Sequence, residues 1–180
     1  MQGKTTAQLR GSWHNFSKYR PLIRELVTRD LKVKYRRSFL GYVWSILNPL
    51  LMMLLQTLVF SYMFRFQIEN FPLYLICGNT LFNFFNESTN MGMGSVLGNS
   101  SLIKKVYVPK FIFPISRVVS SFVNLLFSLA AIILVMLITR SPFHLTILLV
   151  WAPLVLLFLF TCGMALLLSA LAVYFRDLQY

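Results

Sequence analysis

Apolar residues run through this chain in long stretches, and charged ones are crowded into the gaps between them. No charged side chain lies between Arg37 and Arg65 or between Arg117 and Arg140. Between Arg140 and Arg176 only His144 could carry a charge. A bilayer core of about 30 Å is crossed by roughly 20 helical residues at 1.5 Å rise each, and every one of these gaps is at least that long. The pattern predicts four transmembrane helices, at about 41–64, 71–93, 118–139 and 145–174. Tyr42, Trp44 and Tyr62 sit near the ends of the first, where interfacial aromatics belong. The second is the most polar, with Glu87 and several asparagines. The fourth is long for one crossing, which predicts tilt or protrusion. The connections at 65–70 and 140–144 are too short for an external domain.

Two further segments fall outside the predicted spans. Over 19–37, Leu22, Ile23, Leu26, Val27 and Leu31 form a helical stripe with arginines and lysines around it. Pro21 suits a first helical turn, and Glu25–Arg29 and Asp30–Lys34 have the spacing of i,i+4 ion pairs. A basic amphipathic helix just before a span is expected to lie in the cytoplasmic interface. In the segment 98–114, Ser100 or Ser101 is placed to cap a short helix through Tyr107, which Pro109 ends. The alternatives for it are a solvated connector and a docking surface, with Leu102, Ile103 and Val106 forming one apolar knob. The predicted fold class is therefore all-α integral membrane: one interfacial helix, four spans, and a single domain over 1–180.

Composition agrees. Hydrophobic residues are 57% of the chain and charged ones 12%, about half the soluble norm. The net charge of +12 would point to nucleic acid in a soluble protein. Here the first 37 residues carry ten basic groups, and Lys104, Lys105, Lys110, Arg117 and Arg176 carry five more, leaving only Arg65 and Arg140. Positive charge gathers in cytoplasmic loops, so this split puts both termini and the middle loop inside and makes the number of spans even. No basic face is left over for nucleic acid.

No enzyme constellation emerges. Gly3-Lys4-Thr5 lacks the earlier glycine and the strand of a phosphate-binding loop. His14 and His144 fall on opposite sides of the predicted membrane and cannot share a metal. Cys77 and Cys162 form no C-x-x-C pair and are expected as packing residues. Asn86-Glu87-Ser88 and Asn99-Ser100-Ser101 fit the glycosylation pattern, but lie in a span and on the cytoplasmic side. No cofactor or metal is expected on this chain.

The second span carries the densest polar chemistry. At about 100° per residue, Asn79, Asn83, Asn86, Glu87 and Asn90 share about a third of the helix circumference, with Phe82, Phe84, Phe85 and Met91 around the remainder. Such groups must face protein or water. Gly41, Ser45, Asn48 and Gln56 share a face of the first span, and Ser116, Ser120, Asn124 and Ser128 one of the third. Interhelical packing is the simpler account and the one favoured for the third span. For the second, a solvated conduit is the rival. Trp44, Asn48, Asn79, Phe82, Asn83, Asn86, Glu87 and Asn90 are its candidate lining, since hydroxyl-rich sugars need amide partners and aromatic faces.

Residues 29–50, RDLKVKYRRSFLGYVWSILNPL, resemble the entry signature of polysaccharide-export permeases of the type-2 ABC exporter class. The likeness continues in FPLY at 71–74, LFNFF at 81–85, NSSLIKKVY at 99–107, LSAL at 168–171 and VYFRDLQY at 173–180. O-antigen, teichoic-acid and capsule export permeases share this order of blocks. The resemblance implies a bacterial inner-membrane, multi-pass homodimer with its N-terminus in the cytoplasm, paired with two copies of a separate ATPase that holds ATP and Mg. Lipid-linked polysaccharide would pass outward through the dimer. The resemblance also implies ATPase-coupling roles for Leu102, Ile103, Lys104, Lys105, Val106, Tyr107, Arg36 and Arg37. Family members continue into two further spans beyond the position of Tyr180. Alternatives are export of another lipid or a drug, a membrane glycosyl transferase or polymerase, and a non-transporting four-span partner or fragment. A transferase would need catalytic groups from a short supply of acids: Glu25, Asp30, Glu69, Glu87 and Asp177.

Overall fold

The computed structural model describes residues 3–35, 41–64, 71–139 and 149–175, with side chains omitted at 3–18, 41–42, 45 and 61–64. Among the described residues seven helices follow in order: α1 (Gly3–Tyr35), α2 (Gly41–Phe64), α3 (Phe71–Met93), α4 (Ser95–Gly98), α5 (Ser100–Lys105), α6 (Ile112–Ile138) and α7 (Trp151–Tyr174). Among the described residues there is no strand. The first two predicted spans match α2 and α3 in their limits. The third begins earlier than expected, at Ile112, because Pro114 lies in the first helical turn, where its missing N–H is not needed. The expected connections at 65–70 and 140–144, and Arg36, Arg37 and Arg176, lie outside the described residues.

Helices α6 and α7, of 27 and 24 residues, are long and apolar enough to cross a bilayer. Only about a fifth of their most apolar stretches is buried, so the apolar surface faces outward, unlike the core helix of a soluble protein. α2 continues the pattern by exposing Leu51, Leu54, Leu55 and Leu58. Such a surface is stable against lipid or a partner and unstable against water.

α3 is the hub, packed against α2, α6 and α7. Over its last turns α3 meets α7 through small residues. A Cβ built on Gly92 would stand 2.7 Å from Ala165 Cβ, so the two backbones meet where neither side has bulk. Ser88 and Gly92 on α3, with Ser95 on α4, are buried, as are Thr161, Ala165, Ser169 and Ala172 at helical spacing on α7. Thr161 and Ser169 return their hydroxyls to their own helix, at Leu157 and Leu166 carbonyls. Close approach of small residues is how helices associate where no water is displaced. Phe84, Val118, Leu125, Leu154 and Ala165 fill the adjoining core.

α1 departs from expectation. It starts at Gly3, well before residue 19, and Pro21 lies inside it, although a first-turn position was expected. Its apolar stripe packs on protein: Ile23 and Leu26 are buried against Ile112 and Phe113 at the start of α6. The expected Asp30–Lys34 pair is replaced by contacts to other helices, because both side chains find partners across the junction. Asp30 meets Arg117 and Lys34 meets Glu87. The Glu25–Arg29 pair gives way likewise, with Arg29 turning to Asp30.

The segment after α3 also needs correction. Neither Ser100 nor Ser101 caps α5. Asn99 holds the cap position without capping: its Nδ2 donates to the Ser95 carbonyl, and its Oδ1 accepts from Arg29 instead of from the first N–H groups of α5. α5 ends at Lys105, before Tyr107, with Val106 already extended at φ −135° and ψ 133°. Leu102 and Ile103 pack inward on the α1–α6 cluster, so the three-residue apolar knob does not form. The outward groups are Lys104, Lys105, Val106 and Tyr107, the last 96% exposed.

Candidate functional site

On the side of α3 opposite the small-residue seam, four helices enclose a cleft of about 680 Å³. α3 supplies Asn79, Asn83, Asn86 and Glu87, which recur at one helical face as the spacing predicted. α2 adds Trp44 and Asn48, both exposed, together with Pro49 and Met52. α6 adds Ser121, Asn124 and Ser128, and α1 closes one end with Lys34 and Tyr35. Thr80 also lines the cleft, with its Oγ1 buried and without a hydrogen-bond partner.

Six of the eight residues expected along a conduit meet here: Trp44, Asn48, Asn79, Asn83, Asn86 and Glu87. Two do not. Asn90 is exposed and donates to Asn86 Oδ1 at 2.8 Å, one turn back on its own helix. Phe82 points the other way, into an apolar groove of about 540 Å³ between α3 and α7, near the stacked pair Phe85–Phe160 with ring centroids 5.7 Å apart. The exposed aromatic face beside the amides is that of Trp44, as expected, while Phe84 lines the cleft from the buried core. Asn79 donates to Gln56 Oε1 and so fastens α3 to α2.

The carboxylate of Glu87 joins three helices. Lys34 Nζ of α1 lies 2.6 Å from Glu87 Oε1, and Asn124 Nδ2 of α6 donates to the same oxygen at 3.2 Å. Tyr35 Oη in turn donates to Asn124 Oδ1 at 2.6 Å. Asn124 thus bonds between helices, the role favoured for its face, and it also lines the cleft, which was weighed only for the second span. Ser116, Ser120 and Ser128, from the same face, donate to carbonyls of their own helix. Lys34, Tyr35, Thr80 and Ser121 were not expected in the site. Lys34 and Tyr35 follow the interfacial stripe in sequence, and only its folding back onto α6 brings them to α3.

A second cleft of about 510 Å³ lies beside the first, around Arg29, Asp30 and Arg117. Asp30, with its side chain 6% exposed, is held by Arg29 at 3.1 Å and Arg117 at 3.0 Å. Arg29 also donates to Asn99 Oδ1 at 3.3 Å. Asn99 is thereby the residue that ties α1 to the helical segment before α5. Among the described residues no three of His, Cys, Asp or Glu gather closely enough to hold a metal ion. The larger cleft offers amide donors and acceptors, hydroxyls and an aromatic face, groups that suit hydroxylated ligands.

Comparison with known proteins gives this geometry a context. The chain is 36% identical to the O-antigen export system permease protein RfbA of Myxococcus xanthus over 166 residues, covering 90% of this chain and 62% of the relative. It is 32% identical over 157 residues to the RfbA protein of Klebsiella pneumoniae, covering 86% of this chain and 60% of that protein. The polysialic acid transport protein KpsM of Escherichia coli is 26% identical over 167 residues, 87% of this chain and 62% of its own length. The chain therefore spans about three-fifths of the length of these relatives. The profile of the ABC-2 type transporter family matches residues 21–180, which include all the ordered blocks behind the resemblance. The chain belongs to the ABC-2 type transporter family.

Proposed function

We propose that this chain is the membrane permease subunit of an ATP-driven exporter that moves lipid-linked polysaccharide, of the O-antigen or teichoic-acid type, across a bacterial inner membrane. The observation that carries this reading is the amide- and aromatic-lined cleft in a helical body whose outer surface is apolar. Sugars present many hydroxyls and flat apolar faces, and side-chain amides beside indole or phenyl rings match both. The names of the relatives, O-antigen export permease and polysialic acid transport protein, support the same cargo class.

In this reading α2, α3, α6 and α7 cross the membrane, and α1 and the 98–114 segment face the cytoplasm. Two copies of the permease assemble with two copies of a separate ATPase, which carries ATP and Mg. Lys104, Lys105, Val106 and Tyr107 meet the ATPase. Leu102 and Ile103 act behind them, because their packing against α1 and α6 couples the segment to the membrane helices. Arg36 and Arg37 belong to the same contact through the sequence resemblance alone.

The test is purification of the permease with its ATPase, followed by identification of the co-purifying glycolipid. Replacing Asn83 and Asn86 by leucine should abolish glycolipid recovery while the complex still assembles. Unchanged glycolipid in the leucine variant would sink the cleft as the cargo site.

A further inference from the structure

Hydroxyls inside these helices have a ready partner, the carbonyl one turn back on the same helix. Thr89, Ser120, Ser128 and Thr161 all donate there. Three buried hydroxyls among the described residues have no partner at all: Thr57 Oγ1, Thr80 Oγ1 and Ser88 Oγ. Of the three, only Thr80 lines the amide-lined cleft. We propose that Thr80 is a specificity-determining residue of that cleft, its hydroxyl kept for a hydroxyl group of a neutral glycan. The inference deepens the export reading and rests on it for the identity of the ligand as glycan.

Three observations carry it. The first is depth. Thr80 is 5% exposed, and a hydroxyl so buried has given up its hydration without gaining a bond in return. Buried polar groups in folded chains are nearly always paired, so an orphan on a cavity wall points to a ligand. The second is bracing. Asn79, the residue before it, donates to Gln56 Oε1 and ties α3 to α2, which holds the helix in place around Thr80. A helical threonine has two χ1 wells open to it, so the hydroxyl itself can still swing to a ligand in the cleft it borders. The third is company. Asn83 lies three residues on, on the same helical face, and Asn48 comes from α2; both are exposed and both line the cleft. A hydroxyl that donates and accepts, set among side-chain amides, matches the neighbouring hydroxyls of a sugar ring. All three groups are uncharged, which suits a neutral sugar.

Binding is measured on the purified full chain, without the ATPase, in a detergent that has no sugar headgroup. The readout is the emission of Trp44 in the cleft, with Trp13 and Trp151 changed to phenylalanine. The probes are neutral heptasaccharides of glucose, galactose and mannose. Thr80→Val keeps the shape of the side chain and should weaken the tightest probe by about fivefold to tenfold, the scale of one neutral hydrogen bond. Thr80→Ser should restore most of the affinity. Thr57→Val and Ser88→Ala should leave binding unchanged, because neither hydroxyl lines the cleft. All three deletions should raise the melting temperature of the unliganded chain, since each removes a buried group that has no partner. A higher melting temperature together with weaker binding is the signature of Thr80, because loss of a structural hydroxyl lowers both. A lower melting temperature with binding intact would identify a trapped water as the partner and overturn the proposal. Unchanged binding by Thr80→Val, equal weakening by Thr57→Val, or no binding of any heptasaccharide by the unaltered chain would also overturn it. Export by the assembled complex is scored separately, so a failed export reading and a failed Thr80 assignment give different results.

Discussion

The two long faces of α3 are built from the same helix and do opposite things. Towards α7 it presents Ser88 and Gly92, both buried, and the helices close until Gly92 has no space for a methyl group. Towards α1, α2 and α6 it presents asparagines and a glutamate that leave a cleft of about 680 Å³. Small side chains let backbones approach and gain dispersion contacts along their length. Amides and carboxylates resist that closure, because each must reach a specific donor or acceptor and keep its remaining groups solvated. The same distinction separates the two acids on the polar side. Asp30 belongs to a closed junction with α6, and Glu87 belongs to an open one.

That contrast can be broken at several points. The largest effect should come from Asp30→Asn. It removes a buried charge from between Arg29 and Arg117 and should cost about 3 kcal/mol, since breaking a buried pair strands its partners. The same carboxylate-to-amide change at Glu87 should cost less than about 1 kcal/mol. Thermal unfolding in detergent compares the two directly. Equal losses would mean that both junctions are closed and that the second acid is structural.

Gly92→Ala should come next. Its Cβ would press on Ala165, at a cost of about 1–3 kcal/mol for an overpacked seam. Adding Ala165→Gly should recover part of that loss, and a double-mutant cycle measures the coupling. Purely additive losses would show that the seam is looser than its geometry. The smallest effect on stability should follow Val106→Ser with Tyr107→Ser, within about 0.5 kcal/mol because both side chains are exposed. Association with the ATPase should nevertheless fall, read as complex yield on co-purification. Leu102→Ser should instead destabilise the chain, because Leu102 packs against the α1–α6 cluster. If the exposed pair can be changed without loss of complex, the segment is a connector.

Much of this was legible because bilayer-length apolar runs and helical polar faces are properties of consecutive residues. The limits of α2 and α3, and the shared face of Asn79, Asn83, Asn86 and Glu87, follow from rise and rotation per residue alone. Partners brought from elsewhere in the chain did not follow. Asp30 and Lys34 stand at ideal spacing for each other, yet each is taken by a helix more than fifty residues away. Asn99 is drawn from capping α5 into the Ser95 carbonyl and Arg29. Leu102 and Ile103 are packed inward because α1 folds back over α6. Phe82 was grouped with the amides by its chemistry, although its angle on α3 turns it to the apolar groove.

The central claim is that the amide face of α3, and not its aromatic face, meets the glycan. A photo-crosslinking amino acid placed at position 83, and separately at position 82, in the permease–ATPase complex tests this most directly. Mass spectrometry of the adducts should find polysaccharide or its lipid-linked precursor at position 83 and ordinary membrane lipid at position 82. Glycan captured equally at both positions, or at 82 alone, would contradict the account.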